Sequence, residues 1–111
     1  VPTLFAMLLA SDNLPTKDEH NVRLCISAGE PLPSDLLARW QGTFGVDILD
    51  GLGTTEMLHI FVSNRPDEIT PGSTGRVVPG YQIRLINDNN EVCAPGEMGV
   101  LEVSGPSSAL M

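Results

Sequence analysis

The sequence predicts an α/β fold, a partial parallel βαβ unit followed by a small antiparallel β-module. Three observations carry this. Two short apolar runs, residues 22–26 (VRLCI) and 46–49 (VDIL), flank a stretch patterned as a helix. The segment between them is long enough for a helical crossover and too long for a hairpin, so the two runs should lie parallel in a right-handed unit. Beyond Pro66 the pattern changes to Pro and Gly punctuation and then to alternating runs, as a small antiparallel module requires.

Taken in order, residues 3–10 (TLFAMLLA) are apolar on nearly every side, which predicts a helix buried all round. Residues 11–21 (SDNLPTKDEHN) form a polar loop. Residues 22–26, bounded by turn formers, read as a strand covered on both faces. In the helix that follows, Ser34 is the expected N-cap and Asp35 sits in the favourable first turn. Leu36, Leu37, Trp40 and Phe44 share one face, and Gly45 supplies the stop. Residues 46–49 are the second strand. Residues 66–80, without periodicity, read as a linker loop. Residues 81–86 (YQIRLI) alternate, Asp88-Asn89-Asn90 is a turn, residues 91–93 are a short return, and residues 99–103 (GVLEV) are another strand. The expected division is therefore 1–65 for an α/β part, 66–80 for the linker and 81–111 for part of a β-module. The chain starts in mid-pattern at Val1-Pro2-Thr3 and stops straight after a strand-like run, which reads as an internal piece of something longer.

Composition narrows the partners. With 111 residues, 41% hydrophobic and 18% charged, the chain suits one folded unit burying roughly 65% of its unfolded surface. No apolar run approaches the ~20 residues of a membrane span, and the start lacks the basic flank of a signal peptide; a cytoplasmic location is the expectation. Six Lys plus Arg against fourteen Asp plus Glu give a net charge of −8, the wrong sign for nucleic acid or an anionic membrane. A polyphosphate would need a screening cation, with most of its Lys and Arg partners coming from elsewhere. Cys25 and Cys93 have no metal-ligand spacing and read as reduced thiols.

The loops after the two parallel strands carry the chemistry. Residues 27–31 (SAGEP) and 50–57 (DGLGTTEM) both leave carboxyl ends of neighbouring strands, the edge where open α/β sheets bind ligands. In DGLGTTEM the glycines permit sharp turning and close approach, and Thr54 and Thr55 bring hydroxyl and N–H donors to phosphate oxygens. Glu56 is a hard oxygen ligand suited to Mg²⁺. The competing reading is a structural turn in which a Thr caps a short helix. Residues 72–76 (GSTGR) also look like a phosphate loop, but they follow a loop and lack a lysine, which favours a plain turn. Glu30, between Gly29 and Pro31, either presents a polar edge to a flat ligand or is a solvated loop acid. His59, three residues past Glu56, would share its face on a helix. Neither a nucleophile constellation nor a GxxxxGK[ST] loop is present in these spacings.

DGLGTTEM resembles the YGxTE motif of the adenylate-forming superfamily of acyl-CoA ligases, luciferases and peptide-synthetase adenylation domains. SAGEPLP is similar to that family's adenine-side loop, residues 72–87 to its GxxGxPxPG segment, and GEMGVLEVSGP to GELxxxGP. The longer string TEMLHIFVSN is particularly similar to the benzoate-CoA ligases and their hydroxybenzoate and aminobenzoate relatives. The order agrees over essentially the whole chain.

The resemblance implies a two-step reaction in the parent enzyme. An aromatic carboxylic acid and Mg-ATP give an acyl-adenylate and pyrophosphate, and coenzyme A then displaces AMP. Position by position, Thr55 is implied to bond the α-phosphate and Glu56 to ligate Mg²⁺, making these the catalytic pair. Gly29, Glu30, Pro31, Asp50, Gly51 and Leu52 are implied on the nucleotide side. Ala28, Gly51, Gly53, Leu58, His59 and Ile60 are implied to line the acid pocket, with Ala28 and Gly53 leaving a slot for a flat ring and His59 at its distal edge. Leu52 departs from the family, where many members place an aromatic that stacks on adenine. The family's lysine-bearing phosphate loop would precede Val1, and its ribose-binding acid, hinge and catalytic lysine would follow Met111. This implies a fragment inactive alone and, with cut edges, open to self-association. The alternatives are a noncatalytic binding or structural fragment, or a ligase for another carboxylic acid such as hydroxybenzoate or aminobenzoate.

Overall fold

The computed structural model describes residues 1–109; residues 110–111 of the expected β-module lie outside the described residues. Pro2 opens the first helix, α1 (Pro2–Leu9), where its missing N–H costs nothing. Only Pro2 and Phe5 are buried on α1, and Leu4, Met7 and Leu8 are exposed. The all-round burial expected there is corrected: α1 packs one stripe against the second helix, with Phe5 edge-on to Trp40 at 4.8 Å.

The first strand, β1 (Cys25–Ser27), begins three residues later than the apolar run suggests. Its extent is set by pairing, parallel to β2 (Ile48–Thr54) in the register Cys25↔Ile48, Ile26↔Leu49 and Ser27↔Asp50. One face of β1 is covered, and Ile26 on the other is 61% exposed, which corrects the two-sided burial. Between the strands runs α2 (Ser34–Phe44), with Leu36, Leu37, Trp40 and Phe44 buried as their spacing predicts. The N-cap is Pro33, not Ser34. Pro33 is extended (φ −62, ψ 135) and its carbonyl accepts the Leu37 N–H at 3.1 Å, while Ser34 is already helical and makes no side-chain cap. Gly45, left-handed at φ 65, ends the helix and donates to Gln41 O at 2.8 Å. These side chains join Phe5, Leu32, Val46 and Ile48 in one core.

DGLGTTEM also departs from the expectation. Residues 50–54 are neither a turn nor a helix start: β2 continues through Thr54 and pairs antiparallel with β3 (His59–Ser63). Pairing, with β1 as far as Asp50 and with β3 from Gly51 to Thr54, supplies the backbone partners that make a glycine-rich segment a strand. The bend comes later, at Thr55–Leu58, where Leu58 N donates to Thr55 O at 3.1 Å and Met57 N to Thr54 Oγ1 at 3.2 Å. His59 is thus on a strand, and shares no helix face with Glu56.

The β2–β3 register slips between Leu52 and Gly53, so that Phe61 is the extra residue of a bulge. Consequently Phe61 and Val62 are both buried, which strict alternation would forbid. Part of the segment expected to be a loop, Arg76–Val77, forms β4 against Val62 and Ser63, completing the sheet order β1-β2-β3-β4. A second, two-stranded sheet pairs β5 (Gln82–Ile86) with β6 (Val100–Ser104), antiparallel. It leans on the hairpin through a smaller core in which Met57, Phe61 and Val62 meet Tyr81, Ile83, Leu101 and Val103. The Tyr81 hydroxyl shares a hydrogen bond with Ser107 Oγ at 2.6 Å, and Ser107 Oγ donates to Met57 O.

Candidate active site

The glycine half of β2 divides two recesses. On one side Gly29, Glu30 and Pro31 from the loop after β1, together with Gly51, Leu52, Gly53 and Thr74, line a recess of about 170 Å³. On the other lies a wider, open recess of about 530 Å³. Ala28, Gly53, Leu58, His59 and Ile60 line it, with Thr54 and Thr55 at the turn. Gly53 belongs to both.

Gly53 is there because nothing larger fits. A Cβ at this position would lie 2.5 Å from His59 O and 3.0 Å from Ile60 Cα, backbone atoms that the bulge holds close. At Gly51 a Cβ would meet Ile60 Cγ2 at 2.8 Å and Val62 O at 3.1 Å. A side chain at either position would push β3 away, so the narrow partition requires glycine.

The open recess is rimmed by an unusual residue. Leu58 has φ 57, a left-handed conformation that bulky side chains avoid, and it is 78% exposed. That backbone turns the chain sharply from the Thr55–Leu58 bend into β3 and sets a large apolar side chain at the mouth. Next to it, His59 Nδ1 lies 2.6 Å from Ile60 O. A carbonyl only accepts, so Nδ1 carries the proton, and in the neutral ring Nε2 is an acceptor.

The positions implied to bind nucleotide divide differently. Gly29, Glu30, Pro31, Gly51 and Leu52 come together in the small recess. Gly51, expected on both sides, lines only this one. Asp50 is buried and lines neither recess; its Oδ2 accepts the Leu32 N–H at 3.2 Å. Its carboxylate therefore ties the SAGEPL loop to β2 from beneath. Thr55 lines the open recess, and Glu56 stands exposed beside it at the tip of the bend. Thr54 and Thr74 join the linings, although neither is among the positions that the family resemblance implies. The signal for Thr74 is its place in GSTGR, which reads as a turn; the turn is real, and it delivers the residue to the recess.

The charge of the site is sparse. Glu30 is the only charged residue in the small recess, and neither lining contains Lys or Arg. Arg76 and Arg84 pair instead with Glu68, at 3.6 Å, and Glu102. Cys25 and Cys93 are free thiols. Burial raises the Cys25 thiol above its usual range, and the Trp40 indole opposes that only in part, so Cys25 is a poor nucleophile at neutral pH.

Comparison with known proteins identifies the family. The model of the AMP-binding enzyme family matches residues 1–111. Benzoate–CoA ligase of Thauera aromatica is 54% identical over 112 residues, spanning 100% of this chain and 21% of that protein. A crystallised benzoate CoA ligase from Burkholderia xenovorans LB400 superposes with a TM-score of 0.95 at 49% identity, over 99% of this chain and 22% of its own. The anthranilate CoA ligase AuaEII, solved in complex with anthranoyl-AMP, gives 0.90 at 41% identity, over 98% of this chain and 21% of its own. The chain spans about a fifth of the length of these relatives. Matched along its whole length in sequence and in backbone, the chain belongs to the AMP-binding enzyme family.

Proposed function

We propose that the protein carrying this chain is an ATP-dependent ligase for a benzoate-type aromatic acid and coenzyme A, in which this chain forms one wall of the nucleotide and acid sites. The observation that carries the reading is the pair of recesses sharing Gly53. The small one is lined by three glycines with Glu30, Pro31, Leu52 and Thr74, suiting a flat nucleobase. The open one has small residues, Ala28 and Gly53, where a ring would enter, apolar Leu58 and Ile60 beside it, and the His59 imidazole at the edge. A ligand bridging Gly53 would place its reacting atoms near Thr55. The related anthranilate CoA ligase, crystallised with an acyl-adenylate bound, supports that joint occupancy.

In the first step the acid's carboxylate oxygen attacks the α-phosphorus of ATP, the new O–P bond forms, and pyrophosphate leaves. In the second, the thiol sulfur of coenzyme A bonds to the acyl carbon and AMP departs. The Thr55 hydroxyl donates to an α-phosphate oxygen, holding it as charge develops. Leu52 covers the base by apolar contact, and Gly29 and Pro31 border it. The Glu56 carboxylate, exposed beside Thr55, fits Mg²⁺, which takes one or two carboxylates and completes its shell with phosphates and water. When bound, Mg²⁺ supplies charge neutralisation at the phosphates. Lys and Arg partners for those phosphates come from outside this chain's recesses, and a cytoplasmic setting, where ATP and coenzyme A are available, belongs to the same reading.

His59 favours a second acid class. Its Nε2 acceptor would pair with a ring hydroxyl or amino group, so hydroxybenzoate and aminobenzoate stand beside benzoate. The test is pyrophosphate release by the full-length protein across benzoate and its ring-substituted analogues. ATP-dependent release with at least one is expected, and none with any would overturn the ligase reading in favour of a noncatalytic module. In an active protein, Glu56→Gln should slow adenylate formation about 10²-fold while acid binding is retained. Unchanged pyrophosphate release would remove Glu56 from the reaction.

A further inference from the structure

We propose that Asn64 is a positioning residue for nucleotide binding: it clamps the loop of residues 70–75 against β2, so that Thr74 closes the small recess. The inference rests on the ligase reading above. Asn64 is 3% exposed and stands just past the end of β3. Its Nδ2 donates to Ser73 O at 2.6 Å and to Asp50 O at 3.2 Å, and its Oδ1 accepts the Thr70 N–H at 3.0 Å. The backbone N–H of Asn64 adds a bond to the same Asp50 carbonyl, at 3.0 Å. Both amide protons and the amide oxygen are therefore used, and they join three parts of the chain. Asp50, the β2 anchor, immediately precedes the glycine partition.

The loop is ordered locally but aimed by Asn64. Ser73 N donates to Thr70 O at 3.0 Å across Pro71 and Gly72, the latter at φ 78, which is a type II turn. Gly75 N donates to Ser73 Oγ at 3.1 Å. Such a turn could point in many directions. Two contacts fix it: the Asn64 side chain on Ser73 O, and Gly75, whose φ of 91 brings it so close to Ser63 and Asn64 that a Cβ would lie 2.3 Å from their backbone. Thr74 stands between these anchors and is the one residue of the loop that lines the recess. Its hydroxyl can donate or accept at the edge of a bound base, and its methyl group can touch the ring.

The chemistry also explains the residue type. Nδ2 faces two carbonyl oxygens, so a carboxylate of the same size would present oxygen to oxygen in a buried site. Asn64→Asp is thus nearly isosteric and still releases the loop. The experiment uses the full-length protein and measures ATP Kd directly by calorimetry, with KM for ATP and for the aromatic acid in parallel. Asn64→Asp should weaken ATP binding at least about tenfold with the acid KM within about twofold, and Thr74→Val should weaken it about three- to tenfold. Thr74→Ser should restore most of the loss. The double variant should be no worse than Asn64→Asp alone, since both changes act through one contact. Additive losses, an equal rise in the acid KM, or an unchanged ATP Kd in Thr74→Val would each overturn the proposal, the last even if Asn64→Asp does not fold. Wild-type protein that binds ATP but activates no acid would sink the ligase reading and leave the Asn64 comparison in ATP Kd standing.

Discussion

The two recesses beside Gly53 are built from different material. The small one has three glycines, which offer only main chain, among its lining, beside Glu30, Pro31, Leu52 and Thr74. The open one is lined largely by side chains of the β2–β3 hairpin: Leu58, His59 and Ile60. A wall of backbone can change little without refolding the sheet, so it suits a ligand that stays the same from one relative to the next. A wall of side chains on a hairpin can be retuned one residue at a time, so it suits a ligand that varies. The proposed assignment of nucleotide to the small recess and acid to the open one follows this difference in how the walls are made.

The most severe way to break the comparison is at the shared position. Gly53→Val would place side-chain atoms on His59 O, force β3 away and damage both recesses together. A destabilisation of about 2–4 kcal/mol and loss of measurable pyrophosphate release are expected, read by thermal denaturation and the release assay. Retained ATP and acid binding in a folded Gly53→Val protein would show that the recesses are not joined through this glycine.

Asp50→Ala should act on one side only. It leaves the Leu32 N–H without its acceptor beneath the SAGEPL loop, a cost of about 1–3 kcal/mol, and should raise KM for ATP more than KM for the acid. Asp50→Asn, which keeps an acceptor oxygen, should be milder. Equal effects on both KM values would place Asp50 in the general core instead of under the nucleotide wall.

The smallest expected effect is at the side-chain wall. His59→Ala should change the ratio of kcat/KM between benzoate and its hydroxy or amino analogues about three- to tenfold, with ATP affinity unaltered. A preserved substrate ratio would put the His59 ring outside the acid's reach.

Much of the fold was legible because local rules dictated it. The helical spacing of Leu36, Leu37, Trp40 and Phe44, the stop at Gly45 and the crossover length all survive in the structure. The alternation of residues 81–86 became β5 nearly residue for residue. Local rules failed where pairing partners decided the outcome. Glycine-rich residues 50–54 have weak strand propensity, and pairing with β1 at Asp50 and with β3 from Gly51 to Thr54 makes them a strand. Residues 76–77 looked like loop until β3 supplied their partners. Burial of α1 and β1 was overstated because composition shows which residues could be covered, not what lies against them.

The candidate site divides along the same line. From the sequence alone came the residue types of the proposed site: small residues at Ala28 and Gly53, hydroxyl and carboxylate at Thr55 and Glu56, an imidazole at His59. The hydroxyl and carboxylate follow from a short motif whose chemistry is local, and the places of Ala28, Gly53 and His59 from the family resemblance. Only the tertiary structure decided that Asp50 turns inward to hold Leu32, that Gly51 serves one recess, and that Thr74, next to the Ser73 carbonyl bonded by Asn64, lines the small recess. Each of these depends on hydrogen bonds or close packing between residues distant in the chain. No local pattern encodes such contacts; they form once the sheet's register and its bulge at Phe61 have been set.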